Sequence, residues 1–209
     1  MIYNVITAII AYLIGSVNFS VILSKKMAGF DVREKGSGNA GTTNMLRSVG
    51  KKAAALTLMC DVLKGVVAIL IAMFIGWAFK VENQSLLVQI AGIAVVLGHT
   101  FPIFFGFKGG KGVATSLGIL IMSNWQIGLI CLVFGVLLIA LTRMVSVGSC
   151  AAAVLFPVLT LFITDNYIVA QGSGYLIYSI ILAVIVLFNH RSNIKRIMAG
   201  KENRISFKK

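Results

Sequence analysis

The chain has 209 residues, 58% of them hydrophobic and 12% charged, with a net charge of +13 and a mean hydropathy of +0.96. A water-soluble domain carries roughly 25% charged residues, so a soluble fold is set aside. The loop cations are not interleaved with aromatic residues, so nucleic acid is set aside as a partner. What remains is an all-α polytopic membrane protein, one integral-membrane domain over residues 1–209.

A crossing of the hydrocarbon core needs about 20 apolar residues in a helix. In chain order the spans are Asn4 to Ser24, Ala53 to Phe79, Leu86 to Phe105, Gly112 to Ser123, Gln126 to Leu141, Val145 to Ile163 and Tyr175 to Phe188. That makes about seven transmembrane helices, some of them short or broken. The first is read as a span, since no basic stretch precedes it as in a signal peptide. The fourth is short enough for a half-helix or re-entrant element, and Pro157 should kink the sixth.

Between the first two spans runs KGSGNAGTTNMLR, Lys35 to Arg47. Gly36, Gly38 and Gly41 suit a turn whose N–H groups cradle an anion. Ser37, Thr42 and Thr43 add hydroxyls, Asn39 and Asn44 add amides, and Arg47 adds a planar fork suited to phosphate. In the second span Asp61 and Lys64 stand three apart, as an ion pair would. After the third span comes GHTFPIFFGFKGGKGVATSLG, Gly98 to Gly118, with His99, Lys108, Gly110 and Lys111. A helix beginning at Gly112 would aim its N-terminal N–H groups at the place Lys111 reaches. It is no Walker loop, because Lys111 precedes Gly112 rather than Ser or Thr, and Phe105 stands where the first glycine belongs.

Ser146 and Ser149 open the sixth span and are equally suited to helix packing. The last span ends in NHRSNIKR, Asn189 to Arg196. His190 and Asn193, three apart, would share a helix face. Arg191, Lys195 and Arg196 would snorkel to headgroups. Seventeen of the nineteen Lys and Arg residues fall on loops of one side in a seven-span arrangement, against Lys80, Glu82 and Asp165 on the other. The positive-inside rule then puts the N-terminus outside, the C-terminus in the cytoplasm and every motif at the cytoplasmic face.

The six acidic residues never stand together, and the three cysteines lie in apolar segments without metal spacing. No metal and no cofactor are expected. The His-x-x-x-x-Asp motif of soluble-type glycerolipid acyltransferases is missing, because Phe104 and Lys195 hold the fifth positions after His99 and His190.

The three motifs GSGNAGTTN with Arg47, GHTFPIFFGFKGGKGVAT and NHRSNIKR, in that order and joined by DVLKG at Asp61 to Gly65, resemble those of the bacterial acyl-phosphate:glycerol-3-phosphate acyltransferases. The likeness runs nearly the length of the chain. It implies transfer of a fatty acyl group from acyl phosphate to the 1-hydroxyl of glycerol 3-phosphate, the first acylation of phospholipid synthesis. The products are 1-acylglycerol 3-phosphate (lysophosphatidic acid) and phosphate. No cofactor and no obligatory protein partner are implied; the partners are the two substrates and the lipid bilayer of the bacterial inner membrane. On the matching motifs, the expected catalytic residues are His190 and Asn193. The expected substrate-binding residues are Ser37, Gly38, Asn39, Thr43, Asn44, Arg47, His99, Lys108, Gly110, Lys111 and Ser146. The rival reading is a membrane transporter of a phosphorylated solute, which predicts a polar path through the spans.

Overall fold

The computed structural model of the chain describes residues 1–163 and 173–205. Asp165, expected in a loop opposite the motifs, lies outside them. Among the described residues all regular structure is helical. The helices are α1 (Ile2–Ser16), α2 (Phe19–Ala28), α3 (Thr42–Ser48), α4 (Lys51–Ala78), α5 (Gln84–Thr100), α6 (Val113–Ser123), α7 (Trp125–Thr142), α8 (Val145–Thr160), α9 (Ser173–Asn189) and α10 (Arg191–Met198).

Four described stretches are long and apolar enough to cross a membrane: Ile2–Ala28, Lys51–Ala78, Gln84–Phe105 and Trp125–Thr142. A fifth is the pair Gly174–Asn189 and Arg191–Met198, bent by 63°, while Val113–Ser123 and Val145–Thr160 are shorter apolar helices. The expected first span, Asn4 to Ser24, falls within Ile2–Ala28, but its helix is interrupted. It breaks at Val17 and Asn18, where the Asn18 side chain accepts from the Val21 N–H and caps α2. The freed Val17 carbonyl accepts a hydrogen bond from Lys64 Nζ at 3.0 Å. Lys64 also pairs with Asp61 at 2.9 Å, three residues away on α4. α8 runs on through Pro157 to Thr160.

The helices approach closely because their crossings carry glycine. A Cβ on Gly15 of α1 would strike the Val95 carbonyl of α5, and one on Gly98 would strike Tyr12. Gly65 of α4 meets the Thr115 carbonyl, Gly118 of α6 meets Val62, and Gly148 of α8 meets Gly135 of α7. Lipid tails are as apolar as leucine, so helices in a bilayer associate through such backbone-to-backbone packing. The main core includes Ile69, Val88, Val95, Ile119 and Tyr178, contributed by α4, α5, α6 and α9.

All the polar motifs gather at one end of this bundle. Arg33 donates across to the carbonyls of Phe105 (2.6 Å) and Lys108 (3.1 Å), tying the loop after α2 to the loop after α5. The Ile205 N–H donates to the Arg143 carbonyl, folding the C-terminal tail onto the α7–α8 turn. At the other end Tyr3 stacks on Phe79, 4.7 Å between ring centroids.

Candidate active site

The glycine loop before α3 is shaped by one buried side chain. Asn44 donates through Nδ2 to the Val32 and Lys35 carbonyls (2.9 and 3.0 Å), and its Oδ1 accepts from the Ser37 N–H at 2.9 Å. Gly36 and Gly38 take positive φ (60° and 71°), which a residue with a Cβ resists. Gly41 does not; its φ of −164° is extended backbone. The loop spends N–H groups on itself, at Ser37 on Asn44, at Gly38 on the Lys35 carbonyl and at Gly41 on the Asn39 carbonyl. Asn44 and these three N–H groups therefore build the loop itself. Ser37, Gly38 and Arg47 form its exposed rim, with Asn39 and Thr43 half-buried beside them.

The second loop is pinned to the end of α5. The Gly109 N–H donates to the Thr100 carbonyl and the Gly110 N–H to the His99 carbonyl, both at 3.0 Å. A Cβ on Gly110 would collide with His99 Nε2 and the Ala40 carbonyl, so glycine alone lets the two loops meet. His99 is buried, with Nδ1 3.6 Å from Asp61 Oδ1. It thus braces the loop from beneath. Lys108 stays exposed, and its carbonyl accepts from Arg33. Arg33 is itself held by Asp31 through paired hydrogen bonds of 3.0 and 2.8 Å. The Arg33 guanidinium holds the Asp31 carboxyl below its ordinary range.

Lys111, next in the loop, reaches the third motif, where its Nζ donates to Asn193 Oδ1. Asn193 Nδ2 donates in turn to Glu202 Oε1 at 2.7 Å, and Ser146 Oγ donates to the same oxygen at 2.9 Å. Arg196 Nε donates to Glu202 Oε2 at 2.8 Å. Burial lowers the Lys111 ammonium to about 8; the charges of Arg196 and Arg47 lower it too, and Glu202 opposes them. Burial alone would raise the Glu202 carboxyl, but hydrogen bonds from Asn193, Ser146 and Arg196 outweigh it and hold the carboxyl below its ordinary value.

His190 and Asn193 do not lie on one straight helix face. His190 sits at the bend between α9 and α10, buried, with Nδ1 2.8 Å from the Val186 carbonyl. A carbonyl only accepts, so Nδ1 carries the proton and Nε2 is the acceptor of the neutral ring. Asn193 lies in the first turn of α10. Arg191 donates to the Phe188 carbonyl and stacks over its ring. Arg196 does not snorkel away but turns inward to Glu202. Glu202 was missed by sequence reasoning; the available signal was a lone acid among seven tail cations.

An apolar cavity of about 140 Å³ opens between α6, α7, α8 and α9, and its lining begins at Val113, two residues after Lys111, and at Val186, whose carbonyl holds His190. Its lining includes Val113, Leu117, Ile139, Ala152 and Val186, with Ser116 and Ser149 as its two hydroxyls. A cluster of cations one short step along the chain from an apolar slot suits a molecule with an anionic head and a hydrocarbon tail.

Residues 5–200 match the family model described as glycerol-3-phosphate acyltransferase. The chain belongs to the glycerol-3-phosphate acyltransferase family. The protein of that name from Thermoanaerobacter pseudethanolicus is 47% identical over 206 residues, 99% of this chain and 98% of the relative. The one from Clostridioides difficile is 42% identical over 205 residues, 98% and 97% of the two chains. Crystal structures of PlsY, an integral membrane glycerol 3-phosphate acyltransferase, share the fold. The glycerol 3-phosphate form superposes with a TM-score of 0.85 at 34% identity, over 97% of this chain and 96% of that one. The lysophosphatidic acid form gives 0.82 at 33%, over 97% and 95%. As a family member the chain is an acyltransferase of the membrane-integral kind, which accounts for a cation cluster built on apolar helices.

Proposed function

We propose that this acyltransferase moves a fatty acyl group from acyl phosphate to the 1-hydroxyl of glycerol 3-phosphate, releasing 1-acylglycerol 3-phosphate and inorganic phosphate. The observation that carries this reading is the position of Lys111, hydrogen-bonded to Asn193, within reach of Arg47 and Arg196 charge, and two residues before Val113, which lines the apolar cavity. Both substrates are anions that must lie side by side, and their repulsion falls when cations surround them. The cavity takes the donor's tail. Its lining, apolar apart from two hydroxyls and a thiol, gives a phosphorylated solute no polar path and so favours the enzyme over a transporter.

Acyl phosphate is a mixed anhydride, so the protein need not form an acyl-enzyme. In this mechanism the glycerol hydroxyl oxygen bonds to the acyl carbon and the carbon–oxygen bond to phosphate breaks. Phosphate leaves with that electron pair, and the hydroxyl proton passes to one of its oxygens. His190 Nε2 accepts the hydroxyl hydrogen bond and orients it. Lys111, aligned by Asn193, offsets charge growing on the leaving phosphate. Ser37, Asn39, Thr43 and Arg47 take the second phosphate from the loop rim. Gly38 turns the first loop and Gly110 lets the two loops meet, with His99 behind. Ser146 aligns Glu202, and Lys108 adds long-range attraction at the outer edge. Most of the rate then comes from positioning and charge stabilisation.

The topology that fits is seven spans with the N-terminus outside and the site at the cytoplasmic face of the inner membrane, because seventeen of nineteen cations then lie inside. Cysteines placed at Lys35 and Lys201, with the native three removed, are expected to label only from the cytoplasm.

The deciding experiment gives purified protein labelled glycerol 3-phosphate with acyl phosphate, acyl-CoA or acyl carrier protein in turn. Lysophosphatidic acid and stoichiometric phosphate from acyl phosphate alone are expected; product from a thioester alone overturns the donor assignment. Intact-protein mass after mixing with donor and no acceptor should show no added acyl chain.

A further inference from the structure

Resting on that reading of the donor, we infer that Phe156 is the end wall of the acyl groove and sets how many tail carbons the protein holds. The lining can be ordered by depth, because the polar ends of α6 to α9 all lie near Lys111 and Asn193. Val113, Ile139, Gly148 and Val186 stand nearest that end. Leu120, Cys131, Phe156 and Leu182 stand farthest from it, and all four are buried in the main core.

Phe156 does not stand alone there. The rings of Tyr175 and Tyr178 meet it edge-on, with centroids 6.0 and 6.4 Å away, and stack on each other at 5.7 Å. Such aromatic clusters are attractive and shape-specific, so the wall has rigid backing. Above it the groove is kept open by small residues, Gly135, Gly148, Ala152 and Ala153. From Gly148 to Phe156 is eight helical residues, about 12 Å at a rise of 1.5 Å each. An extended chain advances roughly 1.25 Å per carbon, so about nine carbons fill that depth. One side is open to the bilayer, since the lining residues Leu132 and Val136 are 39% and 53% exposed. Carbons beyond the wall turn out through that side and exchange one apolar surrounding for another. Only carbons up to the wall gain from the protein.

The test uses acyl phosphates of four to twelve carbons, each below its micellar concentration, with saturating glycerol 3-phosphate and the enzyme in nanodiscs. For the wild type, kcat/KM should rise by up to about fourfold per added carbon and flatten near nine carbons, by the helix rise and bond lengths above. In Phe156→Ala the break should move to longer chains. In Ala152→Leu, one helical turn nearer the mouth, it should move shorter by about four carbons, the length of a 5.4 Å turn. The four-carbon donor reaches neither wall and corrects each variant for its folded fraction. Opposite shifts in the two variants cannot come from general destabilisation. The same break in all three enzymes overturns the wall and leaves the donor reading intact. A wild-type protein that turns over no acyl phosphate of any length overturns both.

Discussion

Lys111 and Asn193 are 82 residues apart in sequence, yet the ammonium of one donates to the amide oxygen of the other. That contact joins the glycine–lysine loop before α6 to the helix that leaves α9 at 63°. It fixes a cation on a flexible four-carbon stem. Glu202 fixes the amide in turn, so the lysine is aimed through two side chains.

If Lys111 acts on phosphate, Lys111→Ala should lower kcat/KM by at least about 10²-fold, roughly 2.7 kcal/mol of transition-state stabilisation. Asn193→Ala should cost about the same, because the amide also aligns the lysine. Steady-state kinetics on folded, monodisperse variants checks both. Near-normal turnover by Lys111→Ala would return that residue to a headgroup contact.

Arg47→Ala should also lose at least about 10²-fold, and Arg47→Lys should recover only part of it, since a planar fork becomes a point charge. The loss should appear mostly in the KM for one of the two phosphorylated substrates. A change in kcat alone, with both KM values unaltered, would argue against phosphate binding by Arg47.

The lowered Lys111 value, about 8, makes two pH dependences run in opposite directions. If the Lys111 ammonium acts as proposed, it is lost as pH rises, so kcat/KM should fall with an apparent pKa near 8. For stability the sign reverses. Between about 8 and an ordinary lysine's 10.5 the unfolded chain binds the proton that the folded chain has released. This group therefore makes the fold more stable as pH rises through that window. Lys111→Arg should remove the alkaline limb from the rate profile, and a limb left in place would assign it to another group.

Glu202→Ala should destabilise the protein by about 2–3 kcal/mol, because it leaves the buried Asn193 and Ser146 donors without their acceptor and frees Arg196. Glu202→Gln keeps the shape and should fall between. Thermal melts in detergent measure this. Unaltered melting of both variants would show that the tail does not hold the site together.

Activity should survive EDTA. Among the described residues Asp31 is held by Arg33, Asp61 by Lys64 and Glu202 by Arg196, which leaves few carboxylates for an oxygen-ligand site. Loss on chelation with recovery on Mg²⁺ would reveal a site that these ion pairs hide.

Much of this was legible in the sequence because the bilayer imposes a strong pattern. Apolar runs declared the helices, and clustered glycines with cations declared the loops at one end. Two kinds of feature were not legible. The break at Val17 is invisible to hydropathy, since the residues either side are as apolar as a continuous span requires. Its signals are the Asn18 cap and a lysine in α4. The partners within the site were the other gap. Asn44 has the chemistry of a ligand-binding amide, and only coordinates show that it is spent on its own loop. Arg196 and Glu202 read as ordinary tail charges because their pairing depends on the tail folding back to Arg143.

The break between α1 and α2 has a consequence for how the protein is made. The Val17 carbonyl finds its donor in Lys64, 47 residues later in the chain. The first hydrophobic stretch is complete, and at the tunnel exit, before the second stretch that carries this lysine has emerged. Inside a bilayer a bare carbonyl costs several kcal/mol, so the nascent first stretch must either keep its helix unbroken or draw water to the break. Its final interrupted form is reached only when the second stretch has entered beside it. The opening helices of this protein are thus inserted before they can be finished, and Lys64 marks the moment of completion.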